Sequence, residues 1–176
     1  MAGILKVDKY QDFNGNDIMT SDGAGNITVN AAALKNTPAF QATISGYQQP
    51  ISSGVTTKLN FTVENFDTNS AYDAPNSKFT VPSGQAGKYF INATPWISVA
   101  TTYTFTYYYS YIYKNGSAVS FSVINLTSGY IQDMRVPVST ILDLSVGDYI
   151  EIYANGVGGT SWGNFGGTFE GYKIIT

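Results

Sequence analysis

The chain of 176 residues contains neither cysteine nor histidine. Those absences exclude a thiolate nucleophile, a Ser-His-Asp triad and any zinc site built on Cys or His. They also remove the side chain that ordinarily changes charge near neutral pH. No disulfide can staple the fold, so stability has to come from the core and from subunit contacts. Charge is scarce too: 9 basic residues against 12 acidic ones, a net charge of −3, and no basic cluster. Binding of nucleic acid through phosphate contacts is therefore not expected. No segment is long and apolar enough to span a membrane. No helical period of useful length occurs. Met1–Lys6 lacks the charged start and apolar run of a secretion signal, so the Asn-x-Thr triplets at Asn60 and Asn92 read as chance. No cofactor and no membrane partner are expected.

What the chain has in abundance is aromatic residues, with 14 Tyr and 10 Phe set among Gly, Ser, Thr and Asn, which is an all-β composition. From Tyr103 to Tyr113 every odd position is aromatic, and Thr104, Thr106 and Ser110 lie between. A period of two specifies a strand, because successive side chains point to opposite faces. Asn115-Gly116 supplies the positive-φ turn of a tight hairpin. Val119-Ser120-Phe121-Ser122-Val123 alternates again on the return. The rings admit two readings. One is packing, in the core and at a subunit contact, with Tyr107, Tyr109 and Tyr111 in that role. The other is a platform that stacks on sugars.

Residues 1–36 read as an N-terminal arm of short β pieces, with turns at Asn14-Gly15 and Asp22-Gly23-Ala24-Gly25-Asn26. Ile4, Leu5, Val7, Tyr10, Phe13, Ile27 and Val29 are too few to build a core but are the groups with which an arm anchors to a particle or neighbour. Residues 37–176 read as one head of evenly spaced strands. Phe40, Phe61, Tyr72, Phe79, Tyr89, Ile150, Phe169 and Tyr172 are core or subunit-contact positions. In Tyr149–Tyr153, Ile150 and Ile152 should face in and Glu151 out. Gly87, Asn115, Gly116, Gly147, Asp148 and Gly171 are structural positions at turns. Leu59–Glu64 reads as a strand, Pro137 demands an edge position or a gap in a ladder, and Asn155–Thr168 reads as a Gly-rich loop carrying Trp162 and Phe165. Many short strands with turn signals between them argue a sandwich, most simply a jelly roll. No internal repeat is evident.

From Pro38 onward the chain resembles the C1q-like globular heads of the tumour-necrosis-factor superfamily. Pro38-Ala39-Phe40 is similar to that family's opening strand. Phe61, Asp67, Tyr72 and Phe79 follow its central spacing, and Gly87-Lys88-Tyr89-Phe90 its Gly-x-Tyr strand. Lys114-Asn115-Gly116, Leu144-x-x-Gly147-Asp148 and Phe169-x-Gly171-Tyr172 match the later landmarks. The resemblance implies a jelly roll of the ten-stranded type and a homotrimer. Thr80 stands where a Cys is common, and Ile91 and Ala93 where aromatics are usual, which tells against a complement-type partner. The arm, through Ile4–Asp8 and Asp22–Thr28, resembles the start of structural proteins of tailed bacteriophages.

These readings lead to the expectation of a non-enzymatic virion surface protein, assembled in a host cytoplasm. It would decorate or cement a capsid, or form a short fibre, with other virion proteins as partners. The alternative is a carbohydrate-binding adhesin for host surface glycans, with Trp162 and Phe165, or Tyr111 and Tyr113, as stacking rings. An enzyme with paired carboxylates is the weakest option. Asp143, Asp148 and Glu151 flank one turn, and Asp148 and Asp73 read as turn formers rather than calcium ligands. No metal is expected.

Overall fold

The computed structural model describes residues 7–30, 35–46, 48–98, 105–126, 133–158 and 161–174. Ile4, Leu5 and Tyr103 lie outside them. The arm folds as a three-stranded meander, β1 (Lys9–Gln11), β2 (Asp17–Ser21) and β3 (Ile27–Val29), whose strands, among the described residues, pair only with one another. Its two turns are built alike. Asp12 Oδ1 accepts from the backbone N–H of Asn14 and Asn16, and Asp12 Oδ2 from Asn16 Nδ2. Ten residues later Asp22 takes the same bonds from Ala24 and Asn26. Asp-x-x-Gly-Asn is thus a repeated turn, a short repeat the sequence reading missed. Tyr10, Met19 and Val29 are in register across the sheet. Val7, Tyr10, Phe13 and Ile27 are exposed, and Val29 is half-buried.

The head is a sandwich. Its strands are β4 (Ala39–Thr43), β5 (Gln48–Ser52), β6 (Thr57–Lys58), β7 (Val63–Asp67), β8 (Tyr72–Asp73), β9 (Lys78–Thr80), β10 (Gly87–Ala93), β11 (Trp96–Ser98), β12 (Phe105–Lys114), β13 (Ser117–Asn125), β14 (Asp133–Arg135), β15 (Val138–Leu144), β16 (Tyr149–Gly158), β17 (Ser161–Gly166) and β18 (Thr168–Lys173). One layer has the order β15-β10-β18-β4-β7, and the other β13-β12-β16-β9-β8, with β6 also on β16. A further sheet, β14-β11-β17-β5, repeats the order of the first layer and is its continuation. The interruption falls on one line: Pro95 and Pro137 offer no ladder N–H. Gly167, at φ +119, has the Thr94 carbonyl oxygen where a Cβ would sit. The ladder gap expected at Pro137 is this break.

Between the layers Phe40 stacks on Phe79 at 4.6 Å and meets Phe169 edge-on at 4.9 Å, while Phe79 lies 5.5 Å from Tyr89. Phe61, Tyr72, Ile91, Ile150 and Ile152 belong to the same core. Tyr72 also anchors a crossover, donating from its hydroxyl to the Phe61 carbonyl at 2.7 Å. Leu59 and Phe61 are fully buried, as alternation required, but 59–62 is not a strand. The chain passes there from β6 in one layer to β7 in the other, so its inward groups plug the side of the sandwich.

Two expectations need correction. The Gly-rich stretch is not a loop: β16 runs to Gly158 and β17 starts at Ser161. Its glycines are there for close approach, since a Cβ on Gly156 or Gly158 would come within about 3 Å of the Phe105 ring. Gly171, read as a turn position, lies inside β18, between Phe40 on one side and Ile91 on the other. Gly116 and Gly147 do lie in turns, at φ +79 and +84, and Gly87 opens β10 at φ +145.

Candidate functional site

The aromatic strand β12 sits inside its sheet, paired with β13 on one side and β16 on the other. Its inward positions are Tyr108, Ser110 and Ile112, all buried. Ser110 is tolerated there because its hydroxyl donates to the Val136 carbonyl at 2.8 Å, at the line where the first layer breaks. Phe105 also faces in, because a register shift between Phe105 and Tyr107 reverses the phase. Tyr107, Tyr109, Tyr111 and Tyr113 therefore lie on the outer surface, half-buried. Of the two packing roles expected of the odd-position rings, core or subunit contact, the core is taken by Phe105 alone among those described: from Tyr107 to Tyr113 the even positions face in, and the odd rings form an outward face.

Successive rings along that face are 5.6, 5.5 and 6.0 Å apart. Tyr109 and Tyr111 are parallel to within 8°, and Tyr153 of β16 stacks on Tyr113 at 4.1 Å. On the other side Phe121, 60 % exposed, leans on Tyr109 and Tyr111, flanked by exposed Val119 and Val123. Glu151 is an outward position, as alternation required. It is nonetheless covered, and it is neutralised by Lys58. Burial, then the neighbouring phenols, push the Tyr111 pKa up; burial, then Glu151, do the same to Tyr153. These hydroxyls stay protonated at neutral pH, able to donate and accept but not to attack. Asn155, in register with Tyr109, gives its Nδ2 to Gly54 and Thr56, while its buried Oδ1 has no partner.

The first layer carries a different outer face. Ile141, Phe90, Tyr172 and Ala39 form one row across β15, β10, β18 and β4. Phe90 and Tyr172 are 5.5 Å apart, and Ile141 and Tyr172 are exposed. A polar row beside it is tied by Gln41 and Asn92 donating to Glu170 and by Asn65 donating to Gln41. Beyond it, on the edge strand β7, Phe66 and Val63 are exposed.

The remaining candidates scatter. Trp162 is 1 % exposed, packed edge-on against Tyr108 at 5.3 Å and near Phe105, so it cannot stack on an external ligand. Phe165 is half-buried beside Trp96. Asp148 accepts from Lys114, Asn115 and the Ser145 backbone, which hold its pKa down at about 2. Asp143 pairs with Lys88 and Glu151 with Lys58, so the three carboxylates do not converge. Asp73 is bound by Asn76. Among the described residues no group of Asp and Glu is arranged to hold a metal ion. Sequence reasoning missed Tyr153 and the Lys58–Glu151 pair as members of the tyrosine face, because only the pairing of β16 with β12 and β6 brings them there.

No protein-family model matches the sequence, and no curated protein sequence matches it. Among solved structures the fold is similar to the globular domain of zebrafish complement 1qA protein. The TM-score is 0.54 at 13% identity, covering 78% of this chain and 98% of that one. That likeness shows the fold: the head of this protein is a C1q-like jelly roll.

Proposed function

We propose that this protein is a non-enzymatic surface subunit of a virus particle, with a trimeric head and an arm that fixes it in place. The observation that carries the reading is unspent apolar surface in two separate places. Among the described residues the arm's strands pair only with one another and leave Val7, Tyr10, Phe13 and Ile27 exposed. The first layer of the head exposes apolar groups at both edges, Ile141 on β15 and Phe66 with Val63 on β7. A threefold ring joins two different patches of one subunit in a head-to-tail contact. Opposite edges of one sheet are suitable patches, and the Phe90–Tyr172 row extends one of them. The arm's likeness to the start of phage structural proteins supports a virion as its neighbour. Three copies would put the heads outward and the arms against the particle.

The test has two readings. Light scattering at micromolar protein should give the mass of three chains, and a monomer refutes the trimer. Particles lacking the protein should pellet with the full chain and not with the chain deleted for residues 1–36. Equal co-sedimentation would place attachment in the head.

A further inference from the structure

We propose that the outward tyrosine face of β12 binds a neutral, β-linked glycan chain. This goes beyond the assembly reading, and depends on it only in that the subunit contact uses the other layer and leaves this face open. The observations concern the chemistry of the surface. Tyr107, Tyr109, Tyr111, Tyr113 and Tyr153 place five phenols on one face, so it is apolar in body and polar at its rim. Rigid, amphipathic Tyr contacts suit ligands that are themselves half apolar and half hydroxylated.

Charge narrows the class. The carboxylate on the face, Glu151, is already paired with Lys58, and the outward positions of β12 and β13 carry none. A polyanion finds no free cation there, and a polycation no free anion. Hexopyranoses with mainly equatorial hydroxyls present flat C–H faces to rings and hydroxyls at their edges. The row of rings runs along the strand, so the ligand is an extended chain rather than a single residue.

The experiment titrates the full chain with cellohexaose, β-1,4-mannohexaose and a sulfated galactan hexamer, read by calorimetry and saturation-transfer NMR. Saturation transfer to a neutral hexamer is expected, with no gain from sulfation. The double variant Tyr109→Ala, Tyr111→Ala should weaken binding at least tenfold at unchanged oligomeric mass. Tyr111→Phe keeps the ring and should lose less than Tyr111→Ala. Absence of binding to both neutral hexamers, preference for the sulfated one, or equal affinity of the double variant each overturns the proposal. Loss of the oligomer in the double variant also overturns it, by making this face the subunit contact. A parent that is monomeric yet binds the hexamers would refute the trimer and leave the glycan site standing.

Discussion

Gly171 offers a sharp test of the packing. It pairs with Ile91 of β10 and Phe40 of β4, so strands hold it on both sides. A Cβ there would meet Ile91 Cδ1 at 2.8 Å, the Phe90 carbonyl oxygen at 2.9 Å and Phe40 Cε1 at 3.0 Å. The Ile91 methyl can rotate away, but the carbonyl belongs to the neighbouring strand and cannot move without disturbing the ladder. Overpacking of this kind costs about 1–3 kcal/mol for one added methyl. For a domain of this size that corresponds to a melting temperature roughly 3–10 °C lower. Gly171→Ala should show this drop in calorimetry at fixed protein concentration, since mass action shifts the melting point of an oligomer. Gly171→Val should be worse. Adding Ile91→Val removes the Cδ1 contact, so the double variant should recover part of the loss despite the methylene it gives up. The reasoning fails if Gly171→Ala melts within a degree of the parent, or if Ile91→Val adds its full independent cost on top.

Three further outcomes are expected. The Asp148 pKa is depressed on folding, so its contribution to stability is complete above the ordinary carboxylate value of 3.8 and fades as the pH falls towards 2. Asp148→Asn should flatten the acid limb of a melting-temperature profile across that window; Asp12, Asp17, Asp22 and Asp73, also lowered, would keep a residual slope. Trp162→Ala should cost about 3–5 kcal/mol in denaturant unfolding, as a buried ring deletion does; a loss below 1 kcal/mol would put Trp162 on the surface. Deletion of residues 1–36 should leave a head with unchanged near-ultraviolet circular dichroism, because the strands of the sandwich begin at Ala39. A molten spectrum would make the arm part of the head's fold.

The sequence by itself determined the class of fold. Period-two alternation, the Asn115-Gly116 turn and the turn at Gly147-Asp148 are local properties, and short-range sterics and hydrogen bonding decide them. They placed β12, β13 and the start of β16 and put Ile150 and Ile152 inside. The absence of Cys and His removed whole chemistries without reference to any structure. The tertiary structure decided which way the faces look. Alternation shows that two sets of side chains lie on opposite sides, but not which set meets the other layer. Tyr108, Ser110 and Ile112 won the core from a more aromatic set because a register shift after Phe105 reset the phase and Val136 offered Ser110 a carbonyl. Glycine misled for the same reason. Gly156 and Gly158 read as a loop because low strand propensity is a local signal, whereas the rings that need the space come from Phe105 and Tyr108, about fifty residues earlier in the chain. Burial of Trp162, and the meeting of Tyr153 with Tyr113, are likewise long-range facts: they depend on which strands become neighbours, and that is settled when the whole sheet closes on its core.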